Sequence, residues 1–231
     1  MQNLVVLTGA GISADSGIKT FRDSGGLWEG FNVYDVANPK GWAKNPQLVL
    51  DFYNMRRREL LLSQPNDAHK GLVELEQFFN VQIITQNVDD LHERAGSNNV
   101  LHLHGELLKM RSVHDVYHEN ILPIKEDILM GDIAPDGGQY RPHIVWFEEE
   151  VPMLEYAIEI VENADIFVVI GTSLQVYPAA GLINFTNKAI KRFIIDKQIP
   201  LLPNNYAITA IENTASAGVA QLLTMLKNNI L

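Results

Sequence analysis

Apolar residues in this chain fall into two rhythms. Short, β-branched runs that end in turn residues read as buried parallel strands. They are Leu4–Thr8, Val81–Thr85, Asp165–Gly171 and a less apolar fourth, Arg192–Asp196. Between them lie helical spacings. Pro46–Leu62 has Leu48, Leu50, Phe52, Tyr53 and Met55, then a basic run; Asp67–Phe79 has Ala68, Leu72, Leu75 and Phe79; Met153–Glu162 and Ala217–Lys227 read likewise. Strands alternating with helices predict an α/β fold, a Rossmann-like domain with a parallel sheet. Ligands of such sheets sit beyond the carboxyl ends of the strands, so the residues after each strand are where chemistry is expected.

Two stretches interrupt the alternation. Residues 31–77 hold two helical patterns with no strand between them. Residues 111–143 have poor periodicity and three glycines, Gly131, Gly137 and Gly138. Both read as insertions that build a smaller lobe. The expected organisation is one domain over 1–231. Its Rossmann-like part covers about 1–30, 78–109 and 144–231, and its small lobe about 31–77 and 110–143.

Composition narrows the function. With 18 Lys and Arg against 28 Asp and Glu, the net charge is −10, which argues against nucleic acid as a main partner. No apolar run approaches the roughly 20 residues of a membrane span. The chain opens Met1-Gln2-Asn3, and Leu4–Leu7 breaks at once into Thr8-Gly9-Ala10-Gly11, unlike a signal peptide. A cytoplasmic location is expected. The absence of cysteine excludes disulfides, a thiolate nucleophile, a Cys-ligated zinc and an iron–sulfur site, and fits a reducing compartment.

Thr8-Gly9-Ala10-Gly11-Ile12-Ser13 directly follows the first strand. Glycines there let the backbone approach a pyrophosphate, although Ala14 stands where a full G-x-G-x-x-G would have its third glycine. Further motifs follow in order. Gly17-Ile18-Lys19-Thr20-Phe21-Arg22 runs into Gly25-Gly26-Leu27-Trp28. Then come Thr85-Gln86-Asn87-Val88-Asp89-Asp90-Leu91-His92, His102-Leu103-His104-Gly105, and Gly171-Thr172-Ser173-Leu174-Gln175-Val176-Tyr177-Pro178. This ordered set resembles the sirtuins, NAD-dependent protein-lysine deacylases. With Phe52-Tyr53-Asn54-Met55-Arg56 it is similar to the class III type, which includes desuccinylases.

The resemblance implies NAD as cofactor and acyl-lysine proteins or peptides as substrates. Nicotinamide and O-acyl-ADP-ribose would be released. It implies that Gly9, Ala10 and Gly11 line the diphosphate and that Ser13 is a further cofactor-binding residue. Phe21 and Arg22 would shield the reacting ribose from a mobile loop. Asn87 and Asp89 would hold the nicotinamide ribose and carboxamide, with Asn87 also catalytic, and Gln86 would be a further cofactor-binding residue. Gly171, Thr172 and Ser173 would contact phosphates and ribose, and Asp196 the adenosine ribose. His104 would be the general base, since imidazole titrates near neutrality. His102, His69 and His92 are expected to be structural. Asp90 is expected to cap the short helix Leu91–Ala95 in preference to Asp89. Val145-Trp146-Phe147 and Leu174-Gln175-Val176 would be two strand edges between which the substrate backbone adds, with Val145, Phe147 and Val176 in contact. Tyr53 and Arg56, three apart on one helix face, would read a succinyl or malonyl carboxylate. Two rival functions are mono-ADP-ribosyl transfer to protein and NAD sensing without turnover; Asn87, Asp89 and His104 favour deacylation.

The chain departs from the family pattern in three places. Most sirtuins bind a structural zinc through two Cys-x-x-Cys pairs in the region of 111–141, and this chain has no cysteine. His114 and His118 are i, i+4, a metal-ligand spacing on a helix, but Pro123 and the glycines make the region irregular. The expectation is no metal, with the lobe held by Val113, Val116, Tyr117, Ile121, Leu122, Ile124, Ile128 and Leu129. The family's Phe-Gly-Glu is Phe147-Glu148-Glu149 here. The family's Asn after the fourth strand is Asp196.

Overall fold

Strand β1 (Asn3–Thr8) explains why the apolar runs are continuous. Leu4 and Val6 face one core, and Val5 and Leu7 face another, because successive side chains of a strand point to opposite faces. The structure is a computed structural model that describes residues 1–19, 27–28, 30–200 and 207–228. After β1 come a 3-10 segment (Ala10–Ser16), the short pair β2 (Leu27–Trp28) and β3 (Phe31–Asn32), then α1 (Val33–Val36), α2 (Pro39–Lys44), α3 (Pro46–Leu62) and α4 (Asp67–Leu75). Next are β4 (Asn80–Thr85), α5 (Leu91–Ala95), β5 (Val100–His102), β6 (Gly105–Ser112), β7 (Leu122–Pro123), β8 (Tyr140–Ile144) and α6 (Leu154–Glu162). The chain ends with β9 (Ile166–Ile170), a 3-10 segment (Ala179–Phe185), β10 (Lys191–Asp196), β11 (Ile208–Glu212) and α7 (Ala215–Lys227). Among the described residues no helix is long and apolar enough to cross a membrane.

The main sheet is parallel, in the order β11-β10-β9-β1-β4-β5. Helices α4 and α7 cover one face and α6 with the 179–185 segment the other. The chain winds from β1 towards β5 on one side and from β9 towards β11 on the other. The winding reverses between β1 and β9, which places a ligand crevice at the ends of those two strands. A second, antiparallel sheet, β7-β6-β8, packs with α1 and α3 around Val36, Phe52, Leu60, Leu107 and Ile144.

The four expected strands and the helix over Pro46–Leu62 are present. Two strands of the main sheet went unforeseen, as did the strands of the two smaller sheets: β5 is only three residues long, and β11 buries only Ile211. The boundaries of the lobe also differ from expectation. Helix α4 was expected in the small lobe, yet Ala68, Leu72 and Leu75 sit in the same core as β1, β4 and α7. The small sheet begins at Gly105, inside the stretch expected to be Rossmann-like.

The lobe is not held by the apolar residues expected to hold it. Ile128 is buried, but Val116, Tyr117, Leu122 and Leu129 are exposed. Polar groups pin the irregular chain instead. Buried Arg111 donates to the Asp115 carbonyl at 2.8 Å, and the Asp115 carboxylate accepts from the backbone of Glu119 and Asn120. Arg141 forms a two-pronged pair with Glu149 at 2.7 and 3.2 Å. Arg57, fully buried in α3, donates to the Leu107 carbonyl and to Asn54, and Asn54 bonds both main-chain groups of Ile128. Residues 113–120 form turns rather than a helix, so the i, i+4 spacing of His114 and His118 does not put both on one helix face.

Candidate active site

The turns after β1 and β9 touch. Gly9 donates to the Ile170 carbonyl at 3.0 Å, and Gly11 to the Gly171 carbonyl at 2.8 Å. A side chain on Gly11 would put its Cβ 2.6 Å from Gly171 Cα, so only glycine permits this approach. A cleft of about 1590 Å³ opens over the two turns and extends to the small lobe. That exceeds the roughly 300–1,000 Å³ of a pocket for one drug-sized ligand, leaving room for two groups side by side. Its wall contains Gly9, Ala10, Gly11, Gly171, Thr172, Ser173 and Asp196. Asp196 accepts from the Gln198 N–H at 3.0 Å.

Residues 86–89, after β4, form the floor. Gln86 Nε2 donates to Thr172 Oγ1 at 3.1 Å and so ties two turns together. Asn87 Nδ2 donates to Ser13 Oγ at 3.1 Å, and Ser13 Oγ donates to Asp89 Oδ2 at 2.9 Å. Burial pushes the Asp89 carboxyl above its ordinary pKa, opposed by the donors Ser13 and Leu91. The Asn87 N–H is held by Thr85 Oγ1, which also accepts from Thr8 Oγ1. Two expectations change here. Ser13, expected among the cofactor-binding residues, is fully buried behind Asn87 and Asp89 and is not part of the cleft wall. Asp89, not Asp90, accepts from the Leu91 N–H at the start of α5, at 3.2 Å; Asp90 pairs with Arg94 at 3.5 Å. Phe21 and Arg22 lie outside the described residues.

His104 follows β5 and lines the cleft. Its Nδ1 lies 3.1 Å from the Gln86 carbonyl, and its own carbonyl accepts from Val145 N–H at 2.9 Å. Burial lowers its pKa, with the Gln86 carbonyl acting the other way. The neutral ring therefore carries its hydrogen on Nδ1 and presents Nε2 as an acceptor. Gly105, next in sequence, has φ of 78°. A Cβ there would overlap the His143 carbonyl.

Tyr53 and Arg56 share the cleft-facing side of α3. The buried Tyr53 hydroxyl accepts from Trp146 Nε1 at 3.1 Å, and burial pushes the phenol above its ordinary pKa. Val145, Phe147 and Val176 line the same cleft. The segments that carry them, 145–147 and 174–176, are irregular chain and not the strands expected. Phe147 N–H bonds the Ala37 carbonyl, which ties the 145–147 segment to the small lobe. Glu148 has φ of 73° and pairs with Lys40 at 2.8 Å.

Sequence reasoning missed the hydrogen bonds through which Trp146, Thr8, Thr85 and His102 support the site. The missed signal for His102 was period-2 spacing: in extended chain, residues 102 and 104 fall on one face. Both rings reach back to the 86–88 backbone.

Residues 9–178 match the model of the Sir2 family. The chain is 59% identical over 196 residues to an NAD-dependent protein deacylase of Helicobacter pylori, covering 85% of this chain and 83% of the relative. It is 51% identical over 230 residues to one of Bacteroides thetaiotaomicron, covering 98% of each. Among solved structures, a Sir2 homologue in complex with NAD superposes with a TM-score of 0.87 at 36% identity, covering 99% of this chain and 91% of that one.

Proposed function

The chain belongs to the Sir2 family and is an NAD-dependent protein deacylase, and from that premise we propose its residue roles, its acyl preference and a zinc-free small lobe. The cleft wall fits a dinucleotide. It offers main chain at two glycine turns for phosphates, hydroxyls at Thr172 and Ser173, and carboxylates at Asp89 and Asp196 for hydroxyl or amide hydrogens. When bound, NAD supplies nicotinamide as leaving group and a ribose that accepts the acyl group.

Gly9, Ala10, Gly11, Gly171, Thr172 and Ser173 hold the phosphates and adjoining ribose. Asp196 accepts from the adenosine ribose. Gln86, Asn87 and Asp89 hold the nicotinamide side, with Ser13 fixing the last two from behind. His104 Nε2 takes the proton of a ribose hydroxyl while Nδ1–H stays on Gln86. Val145 and Phe147 on one side, and Val176 on the other, take the substrate backbone.

The acyl preference rests on the Tyr53–Arg56 pair. Trp146 uses the Tyr53 oxygen as acceptor, so the phenol hydrogen is left to donate into the cleft beside a guanidinium. A hydroxyl and a forked cation together match a carboxylate. The enzyme is of the class III type, removing succinyl and malonyl groups as well as acetyl. The zinc-free reading is supported by the hydrogen bonds that pin 111–149, from Arg111 to the Asp115 carbonyl, from the Glu119 N–H to the Asp115 carboxylate and from Arg141 to the Glu149 carboxylate.

The test uses NAD with matched acetyl-, succinyl- and malonyl-lysine peptides, following nicotinamide and deacylated peptide together. Succinyl and malonyl peptides should turn over at least as fast as acetyl. Turnover confined to the acetyl peptide would refute the acyl preference. Stoichiometric zinc in protein purified without added metal would refute the zinc-free lobe.

A further inference from the structure

Three consecutive carbonyls of the floor loop each meet a donor from residues 102–107. His104 Nδ1 lies 3.1 Å from Gln86 O, His102 Nδ1 lies 3.1 Å from Asn87 O, and Leu107 N–H donates to Val88 O at 2.8 Å. His104 needs one ring hydrogen for this. His102 needs two, because its Nε2 lies 2.8 Å from Glu93 Oε1. A main-chain carbonyl and an ionised carboxylate only accept, so a neutral ring would set a lone pair against one of them. The His102 side chain is 8% exposed, which leaves water little access to replace either partner.

We infer that His102 is an imidazolium held by Glu93 and acts as a positioning residue for deacylation, fixing the carbonyl of Asn87 beneath the cofactor. This rests on the reading above that Asn87 contacts NAD. The pair is close to neutral overall, so it clamps the loop without adding net charge beside the ribose. When the ring loses its second proton, the remaining one stays towards the carboxylate, the stronger acceptor. Asn87 is then the group that loses its donor.

The surroundings favour the charged ring. Burial alone would lower the His102 pKa; the hydrogen bond and charge of Glu93, the charge of Glu106 and the Asn87 carbonyl outweigh it and raise it. Charged neighbours come from each packed element. Helix α5 provides Glu93 and the buried His92, whose pKa is held well down by burial. Strand β6 provides Glu106, paired with Lys109 at 2.6 Å. The floor loop provides Asp89, which also feels the charge of His102. A raised pKa means that the clamp persists above the pH at which an ordinary histidine loses it, and is lost as pH rises through the folded value.

The experiment measures kcat against pH for the whole enzyme, His102→Asn, His102→Leu and Asn87→Ala, with ring-nitrogen NMR on the unmodified protein. An Asn amide places a donor near the Nδ1 position and does not titrate. The His102 ring should be doubly protonated at neutral pH, and its titration should coincide with an alkaline fall in kcat. His102→Asn should lose that fall and keep most of the activity. His102→Leu should lower kcat about tenfold or more at every pH, with peptide KM within about twofold. A neutral ring at pH 7, an alkaline fall retained in His102→Asn, or wild-type kcat in His102→Leu would each overturn the inference. Wild-type turnover in Asn87→Ala would refute the role given to Asn87 instead, and the NMR titration would still report the His102–Glu93 pair.

Discussion

His104 Nδ1 sits 3.1 Å from the carbonyl oxygen of Gln86. That contact fixes the tautomer of the general base: hydrogen on Nδ1, lone pair on Nε2. Burial lowers the pKa of the ring, so the base form persists below the ordinary histidine range. The acid limb of kcat should therefore lie below about pH 6.5. His104→Ala should lower deacylation by about 10²–10⁴-fold, while NAD binding measured by calorimetry changes little.

Gly105 sets the direction of His104. Its φ of 78° is left-handed, and a Cβ would overlap the His143 carbonyl. Gly105→Ala should cost about 1–2 kcal/mol from the backbone conformation alone, and more from the overlap. Chemical denaturation reads the stability loss. Activity should fall further than His104-independent NAD binding, because the ring is displaced with its backbone.

Arg56→Met should cripple desuccinylation and spare deacetylation, since only the charged acyl group needs the guanidinium. Equal loss of both would remove Arg56 from acyl recognition. Tyr53→Phe has a second consequence. Trp146 Nε1 loses its acceptor inside the core, so stability should fall by about 1–3 kcal/mol, alongside the same acyl-selective defect.

The sheet was legible because its strands bury both faces, and runs such as Ile166–Ile170 have no polar residue to obscure them. The cleft residues were legible because they follow strands at the point where the winding reverses, and because the motifs there are dense. The small lobe was not. Its order comes from Arg57, Arg111 and Arg141 bonded to carbonyls and carboxylates at sequence separations of 50, 4 and 8, and polar pairing of that kind has no period. The boundary error at α4 has a related cause. Its apolar stripe is visible, but helical spacing says that a face is buried and not against which sheet. His102 was read as structural because a single histidine carries no sign of its partners; Glu93 is on a different element.

Stability should fall as pH drops below neutrality. Burial holds the His69 pKa down to about 4, and burial with nearby cations holds that of His143 to about 3. Both rings are neutral when folded and would take up protons at about pH 6.5 when unfolded. Their contribution is complete above that value and declines as pH falls towards the folded values. Each unit of difference corresponds to about 1.4 kcal/mol. His102 acts in the opposite sense, since its pKa is raised. Urea titrations at pH 7 and pH 5 should show the net loss, and His69→Gln, which keeps an acceptor for the Asn66 N–H, should reduce it.

Glu149 joins the lobe to the acyl site. Its carboxylate takes both prongs of Arg141 and the Trp146 N–H, and it lies 3.9 Å from Arg111. Trp146 in turn holds the Tyr53 hydroxyl. Two arginines, at 4% and 6% side-chain exposure, would keep their charge and lose their carboxylate in Glu149→Ala. Removing one partner of a buried pair costs about 3–5 kcal/mol, so the melting temperature should drop sharply. The same change should raise KM for succinyl peptide, because the Trp146–Tyr53 contact loses its anchor. A chelator added to the unmodified enzyme should leave the melting temperature unchanged. If these arginine–carboxylate bonds order the lobe in place of a metal, Glu149→Ala is damaging and the chelator is harmless; the reverse pattern would assign the ordering to a bound ion.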